Sequence, residues 1–358
     1  MTVHGISFDE QTGSARPVET IEGAPIAIFA ECSILADDAV GLVRSGTESA
    51  DIAALDDGTG NLTEMVDAIR AQGSSAPIVV VGVSAGAVTS SPSGQTGAYA
   101  LLKAEPLLGV KPKLVAQSLS GVTGTDLLGA AGRLKAIAYL DGPDTNDAAA
   151  ISDVASYDSA RGHYSDPSVV DTSSNSVASS VCFAAVASIL DFWAVPSNVV
   201  LNGVDSLSRV IAYEAGDANS QAQLLNDEKI NTIIRRNGFR LWGGLSLSTD
   251  ANYKFINARR TADVIEESIA AALQWAVDKG ITSGNVDLVV DSVNDFLANL
   301  TARGSILGGS AWVNTNLTTP SAVALGQVYV DYNFTPVYPL HSLIFRPSIT
   351  NTYAGSVI

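Results

Sequence analysis

Residues 77–83 read PIVVVGV, with no polar side chain among them. A strand with one wet face alternates apolar and polar residues, whereas a strand without alternation is covered on both faces. Residues 24–32, APIAIFAEC, read the same way. Between the two runs lies NLTEMVDAIRAQ, where Leu62, Met65, Val66 and Ile69 recur at a helical period and Gly73 supplies a stop. Strand, helix and strand in that order predict a parallel pair with a helical crossover, hence an α/β fold with some α+β character.

Residues 86–97 are rich in Gly, Ser, Thr and Pro and mark a boundary or long loop. Beyond them, 99–108 reads as helix, 112–117 and 134–140 as strands flanking a helix, 156–180 as irregular, and 181–193 as helix. This predicts two domains: a core domain from 21–89 and 224–340, and an α/β domain at 90–223 inserted into it. In the second core segment, 239–242 is a short strand. Thr261 reads as the N-cap of a helix with Asp263 in its first turn. Val264, Ile265, Ile269, Leu273 and Val277 form its stripe, and Gly280 closes it. A second helix runs from Val286 to Gly304 on Val289, Val293, Phe296, Leu297 and Leu300. Strands are expected near 311–313 and at 327–334, where Val328, Val330, Tyr332 and Phe334 alternate with polar neighbours. Both ends are extended: 1–20 alternates weakly at His4, Ile6 and Phe8, and 340–345 precedes a polar tail.

Charge narrows the function classes. The net charge is −17 with 20 Lys plus Arg, the reverse of the basic balance that drives nucleic-acid binding, so no direct nucleic-acid partner is expected. Charged residues are only 16% of the chain against the usual ~25%, which suits a surface covered by neighbouring subunits. The longest apolar stretch, 181–196, is broken by Ser188 and Asp191 and falls short of the ~20 residues that span a bilayer, so no membrane insertion is expected. Cys32 and Cys182 have no framework or zinc spacing and read as small buried hydrophobes.

Catalytic motifs are incomplete. Gly82-Val83-Ser84-Ala85-Gly86 matches G-x-S-x-G after a strand, the place of a hydrolase nucleophile. That nucleophile needs a following helix, and AVTSSPSGQTG does not supply one. The downstream histidines, His163 and His341, lack a clear acid partner. Gly58-Thr59-Gly60 has no P-loop lysine. No catalytic residue, cofactor or metal site is expected. The arginine pairs Arg235–Arg236 and Arg259–Arg260 need anions. Local acids such as Asp263 or Glu266 are one source, and another subunit is the other.

IIRRNGFRLWGG, ARRTADVIEESI, AVDKGIT, GSILGGSAW and the closing VYVDYNFTPVYPLHSLIFRPSITNTY resemble the contractile tail sheath proteins of myophages and R-type tailocins, the P2-like sheath family. HGISFDE, PIAIFAE and PIVVVGV fit as well. The resemblance is specific over about 225–353 and weak over 90–223. It implies a non-enzymatic virion subunit that polymerises as stacked hexameric rings around a tail tube. It also implies contact with baseplate and tail terminator proteins, and contraction that drives the tube through the host envelope. Terminal arms, here 1–20 and 341–358, would add strands to neighbouring subunits through His4, Ile6, Phe8, Leu343, Phe345, Ile349 and Tyr353. Arg235, Arg236, Arg259, Arg260, Glu266 and Glu267 are expected to face other subunits or the tube. The inserted domain would lie outside, and one helix, 261–279 or 286–303, would touch the tube. The alternatives are a non-contractile virion shell or tube component and, from a different class, a serine hydrolase using Ser84.

Overall fold

The computed structural model describes residues 18, 24–84, 86, 88–118 and 121–352. The chain opens with β1 (Ile26–Glu31), β2 (Val40–Val43), α1 (Glu48–Leu55), α2 (Leu62–Ala71) and β3 (Ile78–Val83). There follow α3 (Ala104–Leu108), β4 (Leu114–Ala116), α4 (Gly124–Leu134), β5 (Ile137–Asp141), α5 (Asp147–Val154) and β6 (Gly162–Ser165). Next come β7 (Val169–Asp171), β8 (Ser176–Val177), α6 (Ser179–Ile189), β9 (Val204–Leu207), α7 (Gln221–Asp227), β10 (Ile230–Arg235) and β11 (Phe239–Trp242). The chain continues with α8 (Ile256–Ala272), α9 (Ser283–Ala302), β12 (Ile306–Val313), α10 (Pro320–Ala324) and β13 (Val330–Pro336).

The apolar runs form the middle of one eight-stranded sheet, ordered β11-β10-β6-β5-β4-β1-β3-β2. β1 pairs with β3 in parallel, Ile28 opposite Val80, as the strand–helix–strand pattern predicts. β4, β5, β6 and β10 continue the parallel run, and antiparallel β2 and β11 close the edges. Alternate residues of β1 serve opposite faces. Ala27 and Phe29 enter one core with α4 and α5, while Ile26, Ile28 and Ala30 enter the other with α2 and α6. Burial on both faces is why these strands lack alternation.

The sheet corrects the expected domain division. Residues 90–223 contribute β4, β5 and β6 to its middle rather than forming an inserted domain. The separate core lies at the C-terminal side, where Ile265, Val293, Phe296, Leu297, Leu300 and Ile306 of α8, α9 and β12 pack together. The helix start is corrected too: α8 begins at Ile256 after Phe255, and Thr261 is a fully buried interior residue. Residues 340–345 carry no strand.

α6 is buried over nearly its whole length and has no charged side chain of its own. Its orphan backbone groups are answered from outside. At the N-terminus, Asp141 at the end of β5 accepts from Ser180 N at 2.7 Å, Ser180 Oγ at 2.5 Å and Ser179 Oγ at 3.2 Å. At the C-terminus, the buried Arg260 of α8 donates to Ala187 O at 2.8 Å. An anion at the first end and a cation at the second both suit the helix dipole.

Burial pushes the Asp141 carboxyl up to about 6, against the opposing pull of the Ser180 and Ser179 bonds. A folded value above the unfolded one means that the native state binds the extra proton as pH falls. The carboxylate's cost is therefore present above pH ~6 and relieved on acidification toward pH ~4. Asp141→Asn should remove a stability gain of about 2 kcal/mol over that window, the full shift being discounted because one side of Asp141 faces a crevice. Denaturant titrations of both proteins at pH 7 and pH 4.5 measure it as the difference between their pH slopes.

Candidate assembly surfaces

Lys111 and Lys113 stand just before β4, Lys135 just before β5, and Arg161 just before β6. The amino ends of three adjacent parallel strands thus present a row of cations at the ~4.8 Å strand spacing. Asp263, Glu266 and Glu267 lie three and four residues apart on one face of α8, the matching spacing on a helix. Glu267 pairs with Lys111 at 2.8 Å and with Lys113, and Glu266 pairs with Lys135 at 2.7 Å. Asp263 takes a two-pronged contact from Arg161, with one arm at 2.7 Å. Arg259 braces the row from the helix itself, at 2.7 Å from both Asp263 and Glu266. Burial pushes Glu267 up, but the two lysine bonds outweigh it and hold the carboxyl below its usual range. Asp263 is more deeply buried, and there desolvation wins over its two arginines and raises the carboxyl.

This clamp corrects part of the sequence reading. Arg259, Glu266 and Glu267 are partnered inside the chain, tying the C-terminal unit to the sheet, and Arg260 is buried against α6. Local acids supply the anions for Arg259. Sequence reasoning missed the lysines because Lys111, Lys113 and Lys135 are more than 130 residues from their partners.

Arg235 and Arg236 are exposed at the tip of the β10–β11 hairpin. Asn237 and Gly238 turn it with φ of 51° and 101°, the left-handed pair favoured in tight hairpins. The Arg235 guanidinium lies over the Phe239 ring at 5.6 Å and that of Arg236 over Tyr213 at 5.8 Å. No ion pair engages either arginine among the described residues.

The C-terminal unit carries a separate ribbon, β12 paired antiparallel with β13. Asn294 of α9 caps the outer edge of β12, accepting from Ala311 N at 2.8 Å and donating to Ala311 O at 3.0 Å. No strand or side chain among the described residues pairs with the outer edge of β13. An uncovered strand edge is a template for another chain. Beyond it, Leu343, Phe345 and Ile349 are 63%, 80% and 99% exposed. His4, Ile6, Phe8 and Tyr353 lie outside the described residues.

The crevice at the carboxyl ends of β4, β5 and β6, ≈ 680 Å³, is where open α/β sheets take ligands. Its polar groups are paired with one another. Asp141 holds the α6 N-terminus, Asp144 accepts from Ser168 Oγ at 2.5 Å, and Arg209 bridges Asp147 and Asp166. Ser84 is exposed and donates to Asp37 at 2.5 Å. His163 sits between the Tyr139 and Phe183 rings, its imidazole pushed down to about 3 by burial. His341 packs on Phe255.

Among the described residues, an unpaired β13 edge thus lies beside an extended tail with exposed apolar residues. Comparison with known proteins specifies the class. Residues 248–350 match the phage tail sheath C-terminal domain. The chain is 32% identical over 305 residues to a prophage major tail sheath protein of Pseudomonas aeruginosa (strain UCBPP-PA14), covering 82% of this chain and 78% of that protein. It is 31% identical over 294 residues to the tail sheath protein of Escherichia phage P2, covering 75% and 72%. Two solved structures share the fold at 18% identity: the anti-feeding prophage baseplate in the contracted state, TM-score 0.76 over 98% of this chain and 99% of that one, and the PVC sheath complex in the contracted state, TM-score 0.74 over 97% and 98%. The chain belongs to the contractile tail sheath family.

Glu267→Lys places a third cation beside Lys111 and Lys113. It should destabilise the subunit by about 2 kcal/mol, between the values for exposed and buried pairs. Hydrogen exchange should then accelerate first in α8. Thermal melts with exchange mass spectrometry report both, and an unchanged α8 would mean that the clamp carries no strain between the two units.

Proposed function

We propose that this chain polymerises as stacked six-fold rings around a tail tube, in the sheath of a virion tail. Rings are joined by exchange of the arms at 1–20 and 341–358, and contraction drives the tube through the host envelope. The observation that carries the reading is the strand edge of β13, unpaired among the described residues, beside an extended tail with exposed Leu343, Phe345 and Ile349. An extended segment of a second copy laid along that edge satisfies its backbone groups and buries alternate side chains. A subunit contact in which donor and acceptor surfaces differ is heterologous, and such contacts build rings and helices.

The clamp supports contraction by rigid-body movement, because α8 carries the motion of the C-terminal unit directly to the sheet. Arg235 and Arg236 are assigned to an acidic surface of a neighbouring subunit or of the tube. Of the two helices considered for the tube, α8 has its acid row spent in the clamp. α9 presents Asp287, Asp291 and Asp295 on an open face and is the one assigned. Baseplate and terminator proteins would bound the polymer, and the role is structural rather than catalytic.

Negative-stain microscopy of the purified protein, with and without tube, tests the reading: hollow sleeves in long and short forms are expected. A protein monomeric under every condition would sink it, and fixed-length tubes would favour a non-contractile shell. Deleting residues 1–20 should abolish sleeves while circular dichroism and melting stay close to the parent. Loss of folding in that truncation would contradict the arm assignment.

A further inference from the structure

The tail after β13 does not become free at the strand's end. Pro336 is buried, and Val337 O accepts from Asn257 Nδ2 at 2.7 Å. The same Nδ2 donates to Trp193 O at 2.7 Å, in the turn that follows α6. Asn257 is 1% exposed and lies in the first turn of α8. One amide therefore joins the exit of the tail, the elbow after α6 and the start of α8. Pro339, Leu340 and His341 then line a cleft of ≈ 200 Å³ with Trp242, Gly243 and Phe255. The His341 ring meets the Phe255 ring at 5.4 Å, and His341 N donates to Pro339 O at 2.8 Å, which bends the segment back toward the start of α8. From Ser342 to Thr352 the hydrogen bonds among the described residues are local, between Thr350 and Thr352. The last contacts of the tail with the body among the described residues are thus those of Val337 and His341, with Tyr338 and Leu340 between them 46% and 77% exposed.

We propose that residues 337–341 are a fixed root and that Asn257 is its positioning residue. The arm that reaches a neighbour begins at Ser342, and its departure angle is set by the subunit body rather than by a loose linker. This rests on the arm reading above. The physical argument is one of ordering. A five-residue flexible stretch would spread the arm's exposed apolar residues over a wide volume, and each docking event would have to restrict it. A seated root spends that restriction during folding, which raises the concentration of the arm at the site it must reach. Asn257 suits the task because its single NH2 serves two carbonyls. An isosteric carboxylate at that position has no proton to give either of them.

The test is made on the full chain. Spin labels at Ser342 and at an exposed position on α4 report the distance distribution between arm and body. The parent should give a narrow distribution. Asn257→Asp should broaden it and raise the concentration needed for sleeve growth about tenfold, in line with the loss of one buried hydrogen-bonded site. Because Asn257 is buried, a second variant, Pro339→Gly with His341→Gly, loosens the root without touching α8 and should give the same broadening and the same growth defect. A broad distribution in the parent overturns the proposal. So does normal sleeve growth in the glycine variant despite a broadened distribution. A parent that forms no sleeves at all counts against the sheath reading itself, while its label distribution still decides whether the root exists.

Discussion

The pairing of α8 carboxylates with the amino ends of β4, β5 and β6 is the interaction on which the architecture turns. A parallel sheet puts all its amino ends on one side, and this sequence places a cation before three adjacent strands there. A helix across those ends can meet all of them only if its acids repeat at three- and four-residue spacing, as Asp263, Glu266 and Glu267 do. The clamp is partly buried, so its worth lies less in net stability than in geometry: each broken member leaves a charge in a poor solvent. The C-terminal unit, which has its own core, is fixed in one orientation against the sheet.

α6 extends that logic through the interior. With no charge of its own, it runs between Asp141 and Arg260, which belong to β5 and α8. The crevice at the carboxyl ends, where related topologies hold ligands, is tied up by the same acids that cap and brace the helices. In this fold those polar groups hold neighbouring elements in place.

The doubly covered strands were legible in sequence because burial on both faces erases alternation, and α2, α9 and β13 were legible because one apolar face against water restores a period. β6, GHYS, was not, since it is central yet carries no aliphatic run. Its place depends on partners in β5 and β10 far along the chain. The Gly-, Ser-, Thr- and Pro-rich stretch at 86–97 made 90–223 look like a separate domain, although its β4, β5 and β6 join the same sheet. Thr261 imitated an N-cap because a buried threonine in a helix looks locally the same as one at its start. The arginine pairs showed the opposite limit: the sequence showed that Arg259 needed an anion, and the structure shows that its own helix provides it. The surfaces left for other chains were the least legible, because openness is a property of the assembled sheet and no single segment records it.

Asn294 gives the ribbon a handedness of access. By holding both backbone groups of Ala311 it blunts β12, while β13 keeps an edge unpaired among the described residues. A further strand is thereby steered away from Ala311 on β12, so a chain that lengthens the ribbon would lie along β13.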